Sequence, residues 1–425
     1  YDLAGSRCLI LDVEEMTMNL HPVVVDSSRQ FQRIARDTDW RAVVWGVQGL
    51  GHLALHSAAE LTDLVTEMDG TIRQAPLPLG QVDEPPRQRA PWPYRLVAHV
   101  FRTAAGLLQR VPLHADIRQS HALALPLLSA ANGVLGDKLE RWQSPLALGM
   151  TLRAEDSEVL AWSQLATTPK ARVAVFVHGL CWSEREWQTP AQKQFQSLLQ
   201  NKGWTSGWLR YNSGRSIWRN GADLSDWLEA ALAAHPVKEL VLVGHSQGGL
   251  LIRSAFAHAE AAGYAWPQSV SRAAYLATPH QGAPLERAGR WANALLSHSP
   301  YTQPLMRLGN IRSAAIKDLR YGVITEAEAQ GLRDDLSEDP RQQAVTLPDH
   351  VRHLFLAGSL NPEAAENWLG DGLVPVHSGL GLHRREALVL NASDLSRVEL
   401  DRMDHMNMLG DVRVWDALAD WWWRR

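Results

Sequence analysis

Ser246 stands in the run Gly244-His245-Ser246-Gln247-Gly248, with Gly249 directly after it. An alcohol with glycines two residues to either side suits a nucleophile on a cramped strand-to-helix turn. The turn pushes the hydroxyl out, and a side chain at either glycine would meet the neighbouring strand or helix. The flanks fit: Leu240 to Val243 is a short apolar run, and apolar helix material resumes at Leu250. A helix N-terminus just past the serine would also offer amide donors to a developing oxyanion. The chemistry this implies is acyl transfer through a serine ester.

A serine hydroxyl is a poor nucleophile until a base takes its proton, and the usual base is a histidine oriented by a carboxylate. The chain has 17 His, so position must discriminate. His405 falls between the last expected strand and the closing helix, where a loop can return it over a sheet. His377 and His383 are its rivals. The acid is expected from the loop after the preceding strand, where Gly370-Asp371-Gly372-Leu373-Val374-Pro375 presents Asp371. An Asp between glycines equally suits plain turn chemistry. Asp404 is a weaker rival, because a carboxylate adjacent to His405 in sequence is poorly placed to orient that ring. For the oxyanion, the expected donors are the amides of Gln247 and of Leu180, with Gly179 letting backbone approach the substrate. His178 and His245 flank reactive backbone and are assigned to packing. Cys181 has no partner pattern of a nucleophile. No H-E-x-x-H and no phosphate-binding G-x-x-x-x-G-K-[ST] occurs, so no catalytic metal and no cofactor is expected, and a structural calcium among the late acids is left open because no spacing establishes one.

These residues need a scaffold that brings distant loops together. Strand-like runs at Met150–Arg153, Ala171–Val177, Trp208–Tyr211, Leu240–Val243, Ser271–Ala277, Val351–Ala357 and Val398–Leu400 alternate with helical runs at Glu186–Gln200, Ile217–Ala234, Gln247–Ala261 and Met408–Trp422. Apolar strands alternating with helices predict a mostly parallel α/β sheet with helices on both faces and the ligand crevice at the carboxyl ends of its strands. Residues 1–145 read as a mostly helical N-terminal region. They comprise two short strand candidates before residue 38, helical patterns over 40–67, 94–111 and 120–139, and a Pro-rich stretch at 75–93. Residues 146–283 and 350–425 form the core. The interval 284–349 is too long for a strand–helix link and carries Trp291, Leu295, Leu296, Leu305 and Met306 at helical spacing, which predicts a cap or lid.

The 425 residues are 45% apolar, enough for one large core with a helical extra. The net charge of -4 argues against a dedicated nucleic-acid binder. With only two cysteines, Cys8 and Cys181, nothing suggests a disulfide framework. No run reaches membrane-spanning length without a charge. A soluble protein is expected, with the cytoplasm slightly favoured and an earlier leader left open by the start at Tyr1. The oligomeric state is unreadable.

Together these segments resemble the serine α/β-hydrolases, above all bacterial lipases and esterases, and also the inositol deacylases that process lipid anchors. Val177-His178-Gly179-Leu180 looks like their oxyanion segment and Gly244 to Gly249 like their nucleophile elbow. Ala277-Thr278-Pro279-His280-Gln281-Gly282 is similar to a lipase segment after the next strand. Asp371 to Pro375 and Asp404-His405 look like the acid and base segments, in the order Ser, Asp, His that this superfamily uses. The resemblance covers roughly 171–410. It implies a carboxylic-ester hydrolase. The apolar residues of 284–349 and the lack of a dense Arg/Lys cluster in the catalytic loops point to a neutral ester with a hydrophobic acyl group, with peripheral contact to a lipid interface left open. The same site would serve a thioesterase or acyltransferase. The reading from a different class is a binding or scaffold protein with a dead site.

Overall fold

A computed structural model describes residues 124–283, 313–331, 339–361 and 370–424, with positions 51, 55, 99 and 103 besides. The strand candidates before residue 38 and the Pro-rich stretch lie outside the described residues. So do the helical patterns over 40–67 and 94–111, but for those four positions, and the apolar series from Trp291 to Met306.

Seven strands make one sheet in the order β1-β3-β2-β4-β5-β6-β7. They are β1 Thr151–Arg153, β2 Arg172–Val177, β3 Trp204–Arg210, β4 Glu239–His245, β5 Val270–Leu276, β6 Arg352–Ser359 and β7 Leu395–Asp401. Only the edge strand β1 runs antiparallel, against β3; every other pairing is parallel. The main helices are α1 Ala124–Arg141, α2 Pro190–Asn201, α3 Ile217–Ala234, α4 Gln247–Ala262 and α5 Val412–Trp423. This is the expected mostly parallel α/β sheet with helices on both faces.

Period-two alternation feeds two cores. In β4, Val241 and Val243 join one apolar cluster with residues of α1, α2 and α5, while Leu240 and Leu242 join the other with residues of α3 and α4. In β2, Ala174 and Phe176 divide from Val173, Val175 and Val177 in the same way. Such strands are buried on both faces and so read as unbroken apolar runs. Burying each large aliphatic side chain contributes about 1.5–3 kcal/mol before chain entropy is set against it.

Among the boundaries that differ from expectation, three have a clear local reason. The helix expected at Glu186–Gln200 splits into a 3₁₀ turn, Glu184–Trp187, and α2. Pro190 has no amide to bond backwards, so α2 starts on it, with the Thr189 hydroxyl accepting from the Gln192 amide at 3.2 Å. Strand β3 begins four residues early, at Trp204, because the polar run Thr205-Ser206 hides a segment that pairs residue for residue with β2. The closing helix starts only at Val412, after a 3₁₀ turn at Met408–Gly410, where Asp411 caps it by accepting from the Arg413 amide.

Aromatic packing docks α5. Trp422 lies edge-on to Trp204 at 5.1 Å and to Phe195 at 5.6 Å, while Trp415 lies 5.3 Å from Phe195. Trp422→Ala would open a cavity costing roughly 3–5 kcal/mol. The described parts of the 284–349 interval include two short helices, Ala314–Asp318 and Glu326–Gln330. Ala315 and Ile316 are buried in the same cluster as the sheet. Among the described residues no helix is long and apolar enough to cross a membrane.

Candidate active site

Strand β4 delivers Ser246 at the turn into α4. Its backbone sits at φ 55° and ψ -124°, a conformation that L residues avoid. Strain of this kind costs about 1–3 kcal/mol and persists only where surroundings impose it. Here the Ser246 amide donates to the Leu276 carbonyl at 2.8 Å, and its carbonyl accepts from the Gly249 amide at 3.1 Å. The flanking glycines answer the steric demand read from the sequence. A Cβ on Gly244 would stand 2.5 Å from the Gly249 nitrogen, and one on Gly248 would stand 2.7 Å from the His178 carbonyl oxygen.

His405 follows β7, and its Nε2 lies 3.0 Å from the Ser246 hydroxyl. Its Nδ1 lies 2.7 Å from Oδ2 of Asp371, which follows β6. The other oxygen, Oδ1, accepts from the amides of Leu373 at 3.0 Å and Val374 at 2.7 Å. A carboxylate can only accept, so the proton sits on Nδ1 and the Nε2 lone pair faces the serine. The His405 amide also donates to the Asp371 carbonyl at 3.0 Å, which ties the two loops through backbone. Gly370 and Gly372 have φ of 55° and 96°, so the turn presenting Asp371 requires both glycines. All three side chains are buried.

The rivals sit elsewhere. Asp404 accepts from the amides of Met406 and Asn407 and from the Asn407 side chain, which commits it to its own turn. His377 is exposed. His383 lies 3.9 Å from Asp339.

Past β2, Gly179 brings backbone against Ser246: a Cβ there would stand 3.0 Å from the Ser246 Cβ. The amides of Leu180 and Gln247 donate no hydrogen bond among the described residues. His245 stacks on Trp182 at 4.7 Å and lies 5.0 Å from the His405 ring. Burial holds it well below the usual imidazole range. His178 stacks on Tyr211 at 4.4 Å, and burial pushes it down to about 4. Both rings are neutral packing groups near pH 7. Burial pushes the Cys181 thiol up to about 12, which removes it as a nucleophile.

One part of the site escaped the sequence reading. The loop Asn212-Ser213-Gly214, after β3, was legible only as a polar strand end. In the structure Ser213 is buried between the Cys181 amide and the Gln247 side chain. Its signal was a small polar residue at the carboxyl end of a core strand, which does not single out one loop from another. Among the described residues no group of three or more His, Cys, Asp and Glu side chains could hold a metal ion.

Residues 168–349 match the family described as PGAP1-like alpha/beta domain. The match spans Gly179, Leu180 and the serine turn and ends before Asp371 and His405. No curated protein matches the chain. Similar solved structures include the mature lipase BlEst2 of Bacillus licheniformis, at 18% identity over 59% of this chain and 91% of that one, with a TM-score of 0.37. The naproxen esterase of Bacillus subtilis is 15% identical over 59% and 84%, with a TM-score of 0.33. Mouse alpha/beta hydrolase domain-containing protein 10 is 15% identical over 59% and 87%, with a TM-score of 0.34.

Proposed function

We propose that this α/β-hydrolase-superfamily chain is a carboxylic-ester hydrolase working through an acyl-enzyme at Ser246. The observation that carries the reading is the bridge made by His405, 3.0 Å from the Ser246 hydroxyl and 2.7 Å from Asp371. His405 Nε2 takes the hydroxyl proton as Ser246 Oγ attacks the acyl carbonyl. Asp371 holds the ring and stabilises its charged form. The Leu180 and Gln247 amides receive the oxyanion. Collapse of the tetrahedral adduct breaks the ester C–O bond, and His405 protonates the departing alcohol. Water then gives a proton to His405 and attacks the acyl-enzyme. Collapse of this second adduct breaks the C–Oγ bond, His405 returns the proton to Ser246, and the acid leaves. The substrate is a neutral ester whose acyl group packs in an apolar pocket, with the 284–349 interval as its cover.

The test pairs covalent labelling by a fluorophosphonate with turnover of p-nitrophenyl butyrate. Wild type should do both. Ser246→Ala should do neither while keeping the wild-type circular dichroism spectrum. A folded Ser246→Ala variant that still turns over the ester at the wild-type rate would end the assignment.

A further inference from the structure

Helix α1 lies outside the matched family segment, yet it forms a wall behind the catalytic loops. Its side toward the site is built from small residues. A Cβ on Gly133 would stand 2.8 Å from the Cys181 Cα, and one on Gly136 would stand 2.9 Å from the Gly214 Cα. In return, a Cβ on Gly214 would stand 2.7 Å from the Gly133 carbonyl oxygen. The helix backbone therefore lies close against Cys181, Asn212 and Gly214, with the Cys181 sulfur and the Asn212 amide filling the space that side chains at Gly133 and Gly136 would take. Polar contacts fix the register. The Asn212 side chain donates to the Gly136 carbonyl at 3.0 Å, and the Ser313 hydroxyl donates to the Gly133 carbonyl at 2.7 Å. The Gly214 carbonyl accepts from the Ala315 amide at 3.3 Å.

Ser213 sits at the centre of this seat and touches both sides of the oxyanion site. Its hydroxyl accepts from the Cys181 amide at 3.0 Å, one residue beyond Leu180. Its carbonyl accepts from the Gln247 side chain at 2.8 Å. The residues of the two expected donors come from different strands, β2 and β4, and a third loop, after β3, spans them. We propose that Ser213, seated on α1, is a positioning residue that sets the spacing between the Leu180 and Gln247 amides. The inference rests on the ester-hydrolase reading of the same site.

The physical argument is one of tolerance. A donor helps only when it lies about 2.7–3.1 Å from where the oxyanion forms. A glycine-flexible loop such as 179–181 does not hold that spacing by itself, because its own backbone is soft there. Ser213 supplies an acceptor for the amide next to the donor, and α1 supplies a rigid back wall. The loss on removing Ser213 should therefore fall on the transition state and leave substrate binding nearly untouched.

The experiment compares wild type, Ser213→Ala, Ser213→Thr and Gly136→Ala on p-nitrophenyl butyrate, reading kcat and KM separately. It also reads inhibition by an alkyl trifluoromethyl ketone, whose reversible serine adduct carries the oxyanion. Ser213→Ala should lower kcat on the order of tenfold, part of the loss expected for a missing donor, with KM within about twofold. Ketone affinity should fall by the same factor as kcat. Ser213→Thr should restore both, since its hydroxyl can accept the same amide. Should Ser213→Ala not fold, Gly136→Ala carries the test, because its methyl displaces Asn212 and Gly214 from behind and should give the same split. An active wild type with unchanged kcat in the folded variants overturns the inference alone. A fall in kcat with unchanged ketone affinity overturns it too, since that marks a general structural loss. A wild type that neither hydrolyses the ester nor binds the ketone overturns the ester-hydrolase reading and this inference with it.

Discussion

A methyl group on Gly248 would overlap the carbonyl oxygen of Val177, the last residue of β2. The first turn of α4 is thus pressed against the strand that leads into the loop of Gly179 and Leu180. Relief would need backbone movement, since the obstacle is a carbonyl in the middle of the sheet. Gly248→Ala should lower stability by roughly 1–3 kcal/mol, as overpacking does. It should also cost far more activity than that loss of stability explains, because Ser246 and Gly179 move relative to each other. Thermal melting and ester turnover on the same sample check it. A stable, fully active Gly248→Ala protein would show that the turn has slack the packing denies.

His405 and Asp371 should behave as one unit with Ser246. Removing either by His405→Ala or Asp371→Asn should take away most of kcat. Adding either change to Ser246→Ala should cost little more than Ser246→Ala alone. Single and double variants measured side by side decide this. Additive losses would mean that the groups act independently.

Acid should destabilise the fold before it reaches the carboxylates. Burial pushes His178 and His353 down to about 4 from 6.5, and holds His245 and His280 well below that value. As pH falls from 6.5 towards 4, the unfolded chain binds protons that the folded one refuses, so stability drops. Asp318 opposes this. Burial pushes its carboxyl up to about 7 from 3.8 while it accepts from the Ile217 amide at 2.8 Å. Between those values the fold holds a proton that the unfolded chain has released, so its share of stability grows as pH falls. Burial also raises the carboxyls of Glu186 and Asp137, which oppose the loss in the same direction; with four imidazoles pushed down, a net loss of stability is expected between pH 6.5 and 4.5. Urea unfolding across that range measures it. Asp318→Asn should raise the urea midpoint at pH 8 and leave it nearly unchanged at pH 4. A flat wild-type profile down to pH 4.5 would contradict neutral buried histidines.

Substrate preference should follow acyl length. Each methylene buried in an apolar pocket contributes on the order of 0.8 kcal/mol until the pocket is full. The expected kcat/KM therefore climbs from acetyl towards butyryl and hexanoyl esters of one alcohol, measured below the micellar limit. A profile that falls from acetyl onward, or a strict demand for an anionic acyl group, would defeat the hydrophobic pocket.

Much of this protein is written locally in its sequence. The apolar run Leu240–Val243, the glycines around Ser246 and the helix after them state a strand, a turn and a helix within a dozen residues. Short-range sterics and burial dictate each. The same logic places Ile217–Ala234 as a helix to the residue, ended at His235-Pro236 where the ring of proline forbids continuation. Asp371 and His405 were legible as residues at strand ends, because a parallel sheet collects such ends along one edge. What they touch was not. Strand order favoured Asp371 over Asp404, but the contact itself needs two loops to meet across 34 residues of sequence, which no local pattern encodes. Ser213 and α1 show the limit most clearly. Gly133 and Gly136 read only as weak points in a helix, since glycine there costs about 1 kcal/mol against alanine. Only the folded chain reveals that backbone from Cys181 and Gly214 occupies the space their side chains would fill. Close approach between segments far apart in sequence is a property of packing, and packing is decided by the tertiary structure as a whole.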